Sequence, residues 1–566
     1  MSSGKLTDVK VQEVQISFAP VPYRSALKFG GRVVSSGWLV NAQVVVESRL
    51  GQRATGYGSM PVGNVWAWPS AQLEPDRTEA AMKEFSRGVG EGFAGCGEWG
   101  HPLEIEAAAA GQYSDLAART ATVLGLSESP PVLAQLVAAS PVDAAVHDAY
   151  GRLHHLNAFD TLSQQFCNRD LSTYLDERFR GEFADRYTLR APASSLPLYH
   201  LVGALDPLTP EEAGSRPSDS LPWTLGEWIL ADQLTHLKIK LNGDQLDWDV
   251  ERVLAIERVA LQAQQQRGCA EWFYSCDFNE KCRSADYVVE FLRRIESASM
   301  PAFRRIQYIE QPTSRNLQAA DAPDMHAAAA VKPVVIDEAL ISYESLLMAR
   351  DQGYSGIALK ACKGQSESIL MAAAAQKFGM FLCVQDLTCP GASFLHSASL
   401  AAHIPGVAAV EGNSRQYCPA ANAEWAARIP AAFQLRNGRI DTSSLSGVGV
   451  GLGCIHWSPA AIPDPAQAGQ SAARVRKVLR AEKQAPGAIG EAPREARNVT
   501  NLPGIPESSE NNSFSVCGNL EFAFWVWVLW PKDPSGFFSP GRVFARRMQR
   551  QPGAPPGFLS FGGSSS

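Results

Sequence analysis

The middle of the chain alternates short apolar runs with amphipathic stretches. In His236–Leu241 apolar residues alternate with Lys238 and Lys240. Because successive side chains of a strand point to opposite faces, this spacing predicts a strand that carries both ammonium groups on one face. Two lysines at this spacing are more typical of a solvated edge strand, so their meaning depends on the strands that follow.

Seven further apolar runs have the length of strands, and amphipathic helices separate them. The eight predicted strands are Leu196–Val202, His236–Leu241, Phe273–Asp277, Gln307–Glu310, Val334–Asp337, Gly356–Lys360, Phe381–Gln385 and Val407–Val410. This alternation predicts an α/β protein with a (β/α)₈ TIM-type barrel, whose chemistry lies on the loops at the strand C-terminal ends. An open doubly wound sheet is the alternative, but no G-x-G-x-x-G motif follows any strand.

The first part of the chain has a different pattern. Residues between Val9 and Leu50 alternate in polarity, with Gly30 and Gly31 dividing two runs, and helical periodicity begins near Glu79. This predicts an α+β unit, a small antiparallel sheet followed by helices. We expect Phe18–Lys28 and Gly58–Trp68 to be loops, which either cover a neighbouring active site or are ordinary connections.

Composition changes again after Trp457, where Ala, Pro, Gly, Ser and Arg predominate. Such a segment buries too little apolar surface to offset its ordering entropy, so we expect it to be disordered. The predicted organisation is an α+β domain at 1–190, the barrel at 191–430, a return segment at 431–456 and the low-complexity tail at 457–566.

Charge and cysteine content limit the partners. A net charge of −7 and a pI near 5.9 argue against a nucleic-acid surface and favour a small-molecule substrate. The 11 cysteines include no C-x-x-C pair, and the first residues lack a secretory pattern, so we expect a cytoplasmic protein. The apolar run Phe522–Trp530 is too short to span a bilayer, so no membrane role is predicted.

Ionisable residues recur where the predicted strands end. In chain order they are Lys238 and Lys240, Asp277, Glu310, Asp337 with Glu338, Lys360 and Asp386. Any one of them alone is best explained as a barrel-rim ion pair. Three carboxylates from adjacent strands, Asp277, Glu310 and Asp337, would repel one another unless a hard dication bound them. Their all-oxygen ligand set predicts Mg²⁺, with Mn²⁺ as the other ion of suitable chemistry.

The two lysine strands suggest a reaction. Lys240 and Lys360 belong to strands two and six of eight, so they are expected to face each other across the barrel mouth. Removing the proton α to a carboxylate requires stabilisation of the resulting enediolate, which a divalent metal supplies. The neighbouring Lys238 and the metal would lower the pKa of a lysine base. One lysine would take the proton from one face while the other delivers to the opposite face.

The order of these motifs resembles the enolase superfamily, and within it the muconate-lactonizing-enzyme-like subgroup of the mandelate racemase/muconate lactonizing enzyme family. The residues that carry the resemblance are Lys238-Ile239-Lys240, Asp277-Phe278-Asn279, Ile309-Glu310-Gln311-Pro312, Ile336-Asp337-Glu338, Leu359-Lys360 and the Gly-rich Ser446–Gly453. The resemblance extends from about Val9 to Cys454 and implies that the N-terminal unit is a capping domain.

The resemblance implies that Asp277, Glu310 and Asp337 bind Mg²⁺ and that Lys240 and Lys360 are the acid/base pair. It also implies roles for further residues. Lys238 would neutralise the substrate carboxylate, and Asp386 is a candidate at the rim of the substrate site. Asn279 and Glu338 would support the metal ligands. His200, at the end of the first barrel strand, is another candidate for substrate binding, although a core histidine is the commoner case.

Departures from the subgroup leave the substrate open. Gln365-Ser366 replaces its Gly-Gly pair, the eighth strand lacks an Asp-x-Asp motif, and no histidine base occurs on strand seven. The last point argues against the sugar-acid dehydratase branch. Lys363 is expected to be solvated.

The sequence therefore predicts an Mg²⁺-dependent isomerase, either a racemase/epimerase or a cycloisomerase, that acts on a small carboxylate through a metal-stabilised enediolate. A lyase with the same first step and a non-catalytic metal-binding barrel are the alternatives. A homo-oligomer is compatible with the sequence.

Overall fold

The computed structural model describes residues 4–29 and 32–453, and the predicted tail at 457–566 lies outside this range. The chain begins with an antiparallel sheet of β1 (Val9–Phe29), β2 (Arg32–Ser48) and β3 (Arg53–Pro61), in that order. Five helices follow: α1 (Asn64–Ala67), α2 (Pro75–Gly95), α3 (Pro102–Ala110), α4 (Tyr113–Leu124) and α5 (Val132–His154). We call β1–β3 with these helices the capping domain.

The expected sheet and helices are confirmed, whereas the two expected loops differ from the prediction. Residues 18–28 continue β1, and their Tyr23 and Leu27 pack against Leu201 and Tyr417 of the barrel. The expected loop at 58–68 begins within β3. A Cβ at Gly58 would lie 1.9 Å from the carbonyl oxygen of Pro141 in α5. Glycine is therefore needed where this strand meets the helix, and it hides the strand pattern from the sequence.

Eight parallel strands form the barrel, which the pairing of the eighth strand with the first closes. They are β4 (Ser195–Val202), β5 (His236–Lys240), β6 (Phe273–Asp277), β7 (Ile306–Glu310), β8 (Val334–Ile336), β9 (Gly356–Leu359), β10 (Phe381–Val384) and β11 (Val407–Glu411); β12 (Arg439–Asp441) pairs antiparallel with β4. Each observed barrel strand agrees with its prediction to within one residue at either end. The TIM-type barrel is thus confirmed.

Helices and short 3₁₀ turns connect and surround these strands. The helices are α6 (Leu225–Asp232), α7 (Leu246–Gln266), α8 (Ala285–Ala298), α9 (Met300–Arg305), α10 (His326–Ala329), α11 (Tyr343–Asp351), α12 (Gln365–Lys377), α13 (Ala392–His403), α14 (Ser414–Tyr417), α15 (Ala423–Arg428) and α16 (Pro430–Phe433). The 3₁₀ turns are Ala158–Thr161, Leu171–Thr173, Glu177–Phe179, Ala184–Arg186, Pro210–Glu212, Ala361–Lys363, Pro419–Asn422 and Ser443–Ser446. Within 4–29 and 32–453, none of the helices has the length and apolar character needed to cross a bilayer.

The barrel interior is apolar in its lower layer and ionisable in the layer above. Buried inward side chains of the lower layer form one cluster, namely Tyr199, Tyr308, Val335, Ala358, Cys383 and Ala409. Two residues further along these strands, the inward side chains include Glu310, Asp337 and Lys360. The period of two along a strand thus places the charges at the C-terminal end of the barrel, above an apolar floor.

The Gly-rich end of the described chain returns to the capping domain. The backbone N–H of Val450 donates to Asp148 Oδ1 of α5 at 3.0 Å, and that of Tyr57 in β3 donates to Asp148 Oδ2 at 3.0 Å. Gly449 has a φ of 72°, and a Cβ there would lie 1.9 Å from Asp148 Oδ1. One buried carboxylate therefore ties the return segment to the sheet. The predicted domain boundaries themselves stay predictions.

Candidate active site

The upper layer of the barrel is organised around the ammonium group of Lys238, which is 2% exposed. Its Nζ donates to Glu310 Oε1 at 2.8 Å and to Gln385 Oε1 at 3.0 Å. It also lies 3.3 Å from Glu411 Oε2 and 3.3 Å from Asp277 Oδ2. These four partners are protein side chains at the ends of four different strands, so Lys238 connects these strands from inside the barrel.

Lys240 is one strand pleat above Lys238 and makes a tighter contact. Its Nζ lies 2.5 Å from Asp277 Oδ2, across the β5–β6 register that pairs these two residues. Asp277 Oδ1 accepts a hydrogen bond from the backbone N–H of Asn279 at 2.9 Å. Asn279 thus contacts this carboxylate through its main chain, which a φ of 45° turns back toward the strand end.

Lys360 lies on the far side of the same mouth. Its Nζ is 2.8 Å from Asp337 Oδ2. Since β5 and β9 are four strands apart in a closed barrel of eight, Lys240 and Lys360 come from opposite walls. The sequence-predicted arrangement of two lysines facing one another therefore has a counterpart in the topology.

Lys363 is a further cation of this cluster, and the expectation that it is solvated is wrong. It is 3% exposed, and its Nζ lies 2.5 Å from the backbone oxygen of Asp337 and 3.3 Å from its Oδ1. The 3₁₀ turn after β9 returns the third residue to the side of Lys360, which a strand pattern does not reveal. Burial, opposed by Asp337, lowers the pKa of Lys363.

Trp66 of the capping domain covers this wall of the mouth. Its Nε1 donates to Glu338 Oε1 at 2.9 Å, and its ring centroid lies 4.3 Å from Lys360 Nζ. The ring face attracts a cation, so Trp66 holds the lysine and the glutamate in one arrangement. Burial and the adjacent Asp337 carboxylate raise the pKa of Glu338 to about 7.

The buried charges shift one another's pKa values. Burial alone would raise the pKa of Asp277, but Lys240 and Lys238 together hold it below its ordinary value. The same balance holds the pKa of Asp337 low, with Lys360 as the main partner. Burial and the Asp277 carboxylate raise the pKa of Glu310 well above its ordinary value. Glu310 is therefore the carboxylate that gains most from an additional cation nearby.

The three carboxylates offer a suitable donor set for Mg²⁺, since they supply oxygen ligands from consecutive strands β6, β7 and β8. Within the ranges 4–29 and 32–453, no three histidine, cysteine or acidic side chains converge as metal ligands. Each carboxylate contacts a lysine instead, so binding of an ion requires these oxygens to exchange a lysine contact for the metal.

Two of the residues predicted to bind the substrate, His200 and Asp386, contact protein groups in the structure. His200 accepts a contact from Arg415 Nη2 at 2.9 Å and packs beside Trp228 of α6, on the outer face of β4, so the structure does not bring it into the mouth. Asp386 accepts hydrogen bonds from the backbone N–H groups of Thr388 at 3.1 Å and Asn413 at 3.1 Å. These contacts hold the loop after β10, and burial beside Glu411 raises the pKa of Asp386 to about 7.

Gln385 and Glu411 also belong to this buried cluster, although neither was among the predicted site residues. Gln385 Nε2 donates to Glu310 Oε2 at 2.5 Å, and Glu411 Oε1 accepts from Asn413 Nδ2 at 2.8 Å. Both follow the inward alternation of their strands, two residues after Cys383 and Ala409. That period was the signal that would have identified them.

Comparisons with known proteins agree with this architecture. The enolase C-terminal domain-like family model matches residues 225–453, whereas a search of curated proteins finds no match. Among solved structures, the muconate lactonizing enzyme from Mycobacterium smegmatis complexed with muconolactone has a TM-score of 0.51 at 14% identity, over 80% of this chain and 97% of that one. That similarity shows a shared fold.

Two further solved structures cover similar parts of the chain. The muconate lactonizing enzyme from Pseudomonas fluorescens complexed with muconolactone has a TM-score of 0.49 at 16% identity, over 78% of this chain and 96% of that one. The dipeptide epimerase from Enterococcus faecalis V583 complexed with Mg and L-Leu-L-Tyr has a TM-score of 0.49 at 14% identity, over 78% and 99%. The family match therefore identifies residues 225–453, which contain strands β5 to β12, as an enolase C-terminal domain-like domain.

Proposed function

We propose that this protein is an Mg²⁺-dependent isomerase, a racemase/epimerase or a cycloisomerase, that removes the proton α to a carboxylate of a small substrate. The observation that carries the proposal is the pair Lys240 and Lys360, which approach one mouth from opposite walls of the barrel. Each lies within hydrogen-bond distance of a buried carboxylate, Asp277 or Asp337. Two amines so placed address the two faces of a single carbon atom.

The lysines act as the acid/base pair. Although burial disfavours its charge, Asp337 raises the pKa of Lys360 above its ordinary value, so in the present arrangement Lys360 is a proton donor. To act as the base, a lysine must first lose its proton, which requires that the adjacent carboxylate charge be compensated. The proton removed on one side is then replaced from the other side by the second lysine.

Asp277, Glu310 and Asp337 would hold the Mg²⁺ ion. When bound, the ion would neutralise these carboxylates and the substrate carboxylate, and would so stabilise the charge that develops on removal of the α-proton. The raised pKa of Glu310 supports this assignment, because burial next to Asp277 leaves its charge undercompensated by Lys238. Lys238 holds Glu310 and Asp277 in place from below the mouth, which is a positioning role.

Exchange of the α-proton tests the proposal. The full chain with Mg²⁺ is incubated in D₂O with acyl amino acids, dipeptides and cyclic carboxylic acids, and loss of the α-proton signal is followed by ¹H NMR. We expect Mg²⁺-dependent exchange of at least one compound, abolished by Lys240→Ala together with Lys360→Ala. Net elimination of a β-substituent would identify a lyase. Exchange that persists in the double variant would refute the lysine assignment.

A further inference from the structure

Helix α12 begins directly after a turn that carries two lysines of the barrel mouth. We call this segment, residues Lys360–Gly364, the lysine turn. Within it, the backbone N–H of Lys363 donates to the carbonyl oxygen of Lys360 at 2.9 Å. Ser368, in the first turn of α12, donates its hydroxyl to the same carbonyl oxygen at 3.0 Å. The start of α12 therefore fixes the main chain of Lys360.

The residue that precedes α12 is Gly364, which has no side chain to accept hydrogen bonds from the first backbone N–H groups of the helix. Those groups have no partner within a helix and are commonly satisfied by the side chain of the preceding residue. Gly364 has a φ of 112°, and a Cβ there would lie 3.1 Å from Asp143 Oδ2. The glycine thus leaves room for a carboxylate from another part of the chain.

Asp143 of the capping-domain helix α5 supplies the acceptor. Its Oδ2 accepts from the backbone N–H of Ser366 at 2.8 Å, and its Oδ1 accepts from the Ser366 hydroxyl at 2.7 Å. Both side chains are buried, so water does not compete for these contacts. A negative charge is also favourable at the N-terminus of a helix. A residue of the capping domain therefore caps a helix of the barrel.

His147, one turn further along α5, holds the same hydroxyl group. Its Nε2 lies 2.9 Å from Ser366 Oγ. Because the hydroxyl donates to Asp143, His147 is the donor of this second hydrogen bond. A neutral ring fits that role, and burial lowers the pKa of His147 to about 3. A glycine at 366, as in the subgroup that the sequence resembles, would have no hydroxyl for either contact.

We propose that Asp143 is a positioning residue for Lys360. Through Ser366 and the first turn of α12, the capping domain fixes the lysine turn and so directs Lys360 into the mouth. The main chain of Lys240 is held instead by the pairing of β5 with β6. Loss of the Asp143 carboxylate should therefore disturb one wall of the mouth and spare the other. This inference rests on the proposed function, because it assigns Asp143 to one of the two proposed acid/base residues.

Backbone amide hydrogen–deuterium exchange, followed by mass spectrometry of peptic peptides, tests this positioning without turnover. In the full chain, Asp143→Ala should speed amide exchange in the lysine turn and the start of α12 by at least about fivefold, because a helix cap is lost. Amide exchange in β5 peptides that contain Lys240 should change by less than about twofold. Asp143→Asn keeps one acceptor oxygen and should restore at least about half of the lost protection.

Asp148→Ala is the matched control. Asp148 lies in the same helix, is as buried as Asp143, and likewise accepts from backbone N–H groups, those of Tyr57 and Val450. Its loss should speed amide exchange around those two donors and leave the lysine turn within about twofold of the unmodified chain.

Ser366→Ala is a milder second variant, which decides the question if Asp143→Ala does not fold. It removes the hydroxyl and keeps the capped N–H, so it should speed amide exchange in the lysine turn by about two- to fivefold. An unchanged lysine turn in Ser366→Ala and Asp143→Asn, or faster exchange spread evenly over the chain, would overturn the positioning role.

The α-proton exchange of separate enantiomers gives a readout that a purely structural role would not move. Asp143→Ala should slow exchange of the enantiomer that depends on Lys360 by at least about fivefold and leave the Lys240-dependent enantiomer within about twofold. A general loss of structure would slow both enantiomers equally.

The positioning role and the proposed function fail separately. If the lysine turn loosens as expected but no compound undergoes α-proton exchange in the unmodified chain, the isomerase proposal fails and the hold of α5 on the lysine turn stands. If α-proton exchange occurs and Asp143→Ala slows both enantiomers to the same extent, the positioning role fails and the isomerase proposal stands.

Discussion

Lys238→Met is the most informative perturbation of the barrel interior. Lys238 Nζ lies 2.8 Å from Glu310, 3.3 Å from Asp277 and 3.3 Å from Glu411. At an effective dielectric constant of about 20, each such contact corresponds to roughly 5 kcal/mol of attraction, most of which offsets the cost of burying the charges. Removing the ammonium group takes one positively charged partner from each of these three buried carboxylates. We expect the free energy of unfolding to fall by about 3–5 kcal/mol.

Urea denaturation followed by circular dichroism and tryptophan fluorescence measures this loss, with Lys332→Met as the control. Lys332 is half-buried and packs over Phe303 at 4.5 Å, so its removal should cost less than about 1 kcal/mol. The difference in free energy of unfolding between Lys238→Met and the unmodified chain should also become smaller as the pH is lowered. The pKa of Glu310 is already raised in the folded chain and would rise further without Lys238, and a raised folded pKa contributes stability that is lost as pH increases. A loss below about 1 kcal/mol at neutral pH would refute the view that Lys238 holds the interior carboxylates together.

Two further predictions concern stability away from the mouth. Gly58→Ala should destabilise the capping domain by about 1–3 kcal/mol in a thermal melt, because the added Cβ would overlap the Pro141 carbonyl. The control is Gly92→Ala in α2, whose Cβ would meet nothing within 4 Å, so this variant should be neutral or stabilising in the same assay. Burial and the nearby His396 lower the pKa of His147 to about 3, so as the pH falls below about 6.5 this histidine is protonated in the unfolded chain before it is protonated in the folded one. The free energy of unfolding should therefore fall by about 2 kcal/mol by pH 5 because of this group. In urea titrations at several pH values, His147→Asn should reduce that fall.

The sequence was most informative where side-chain period and chain order act together. The (β/α)₈ alternation and the strand-end positions of Asp277, Glu310, Asp337, Lys240 and Lys360 follow from an apolar run that ends in one inward ionisable residue. These features need only a period of two and a closed barrel. They depend little on the identities of the surrounding residues.

The positions that differ from the expectations depend on structural details that hydrophobic periodicity does not encode. His200 and Tyr199 are adjacent on β4, and the tertiary fold turns Tyr199 inward and His200 outward. Lys363 returns to the mouth through a 3₁₀ turn. The glycines of β3 hid a strand because they serve the approach of α5. The lysine contacts of the three carboxylates depend on side-chain conformations, which the sequence pattern does not determine.

Enantiomer-resolved α-proton exchange tests the opposing lysines most directly. Each enantiomer of a substrate found by the exchange screen is incubated in D₂O with Mg²⁺ and either Lys240→Ala or Lys360→Ala, and exchange is followed by NMR. Because the two amines come from opposite walls, each variant should lose exchange of a different enantiomer, by at least about 10²-fold. Loss of the same enantiomer in both variants, or of neither, would contradict the two-lysine mechanism.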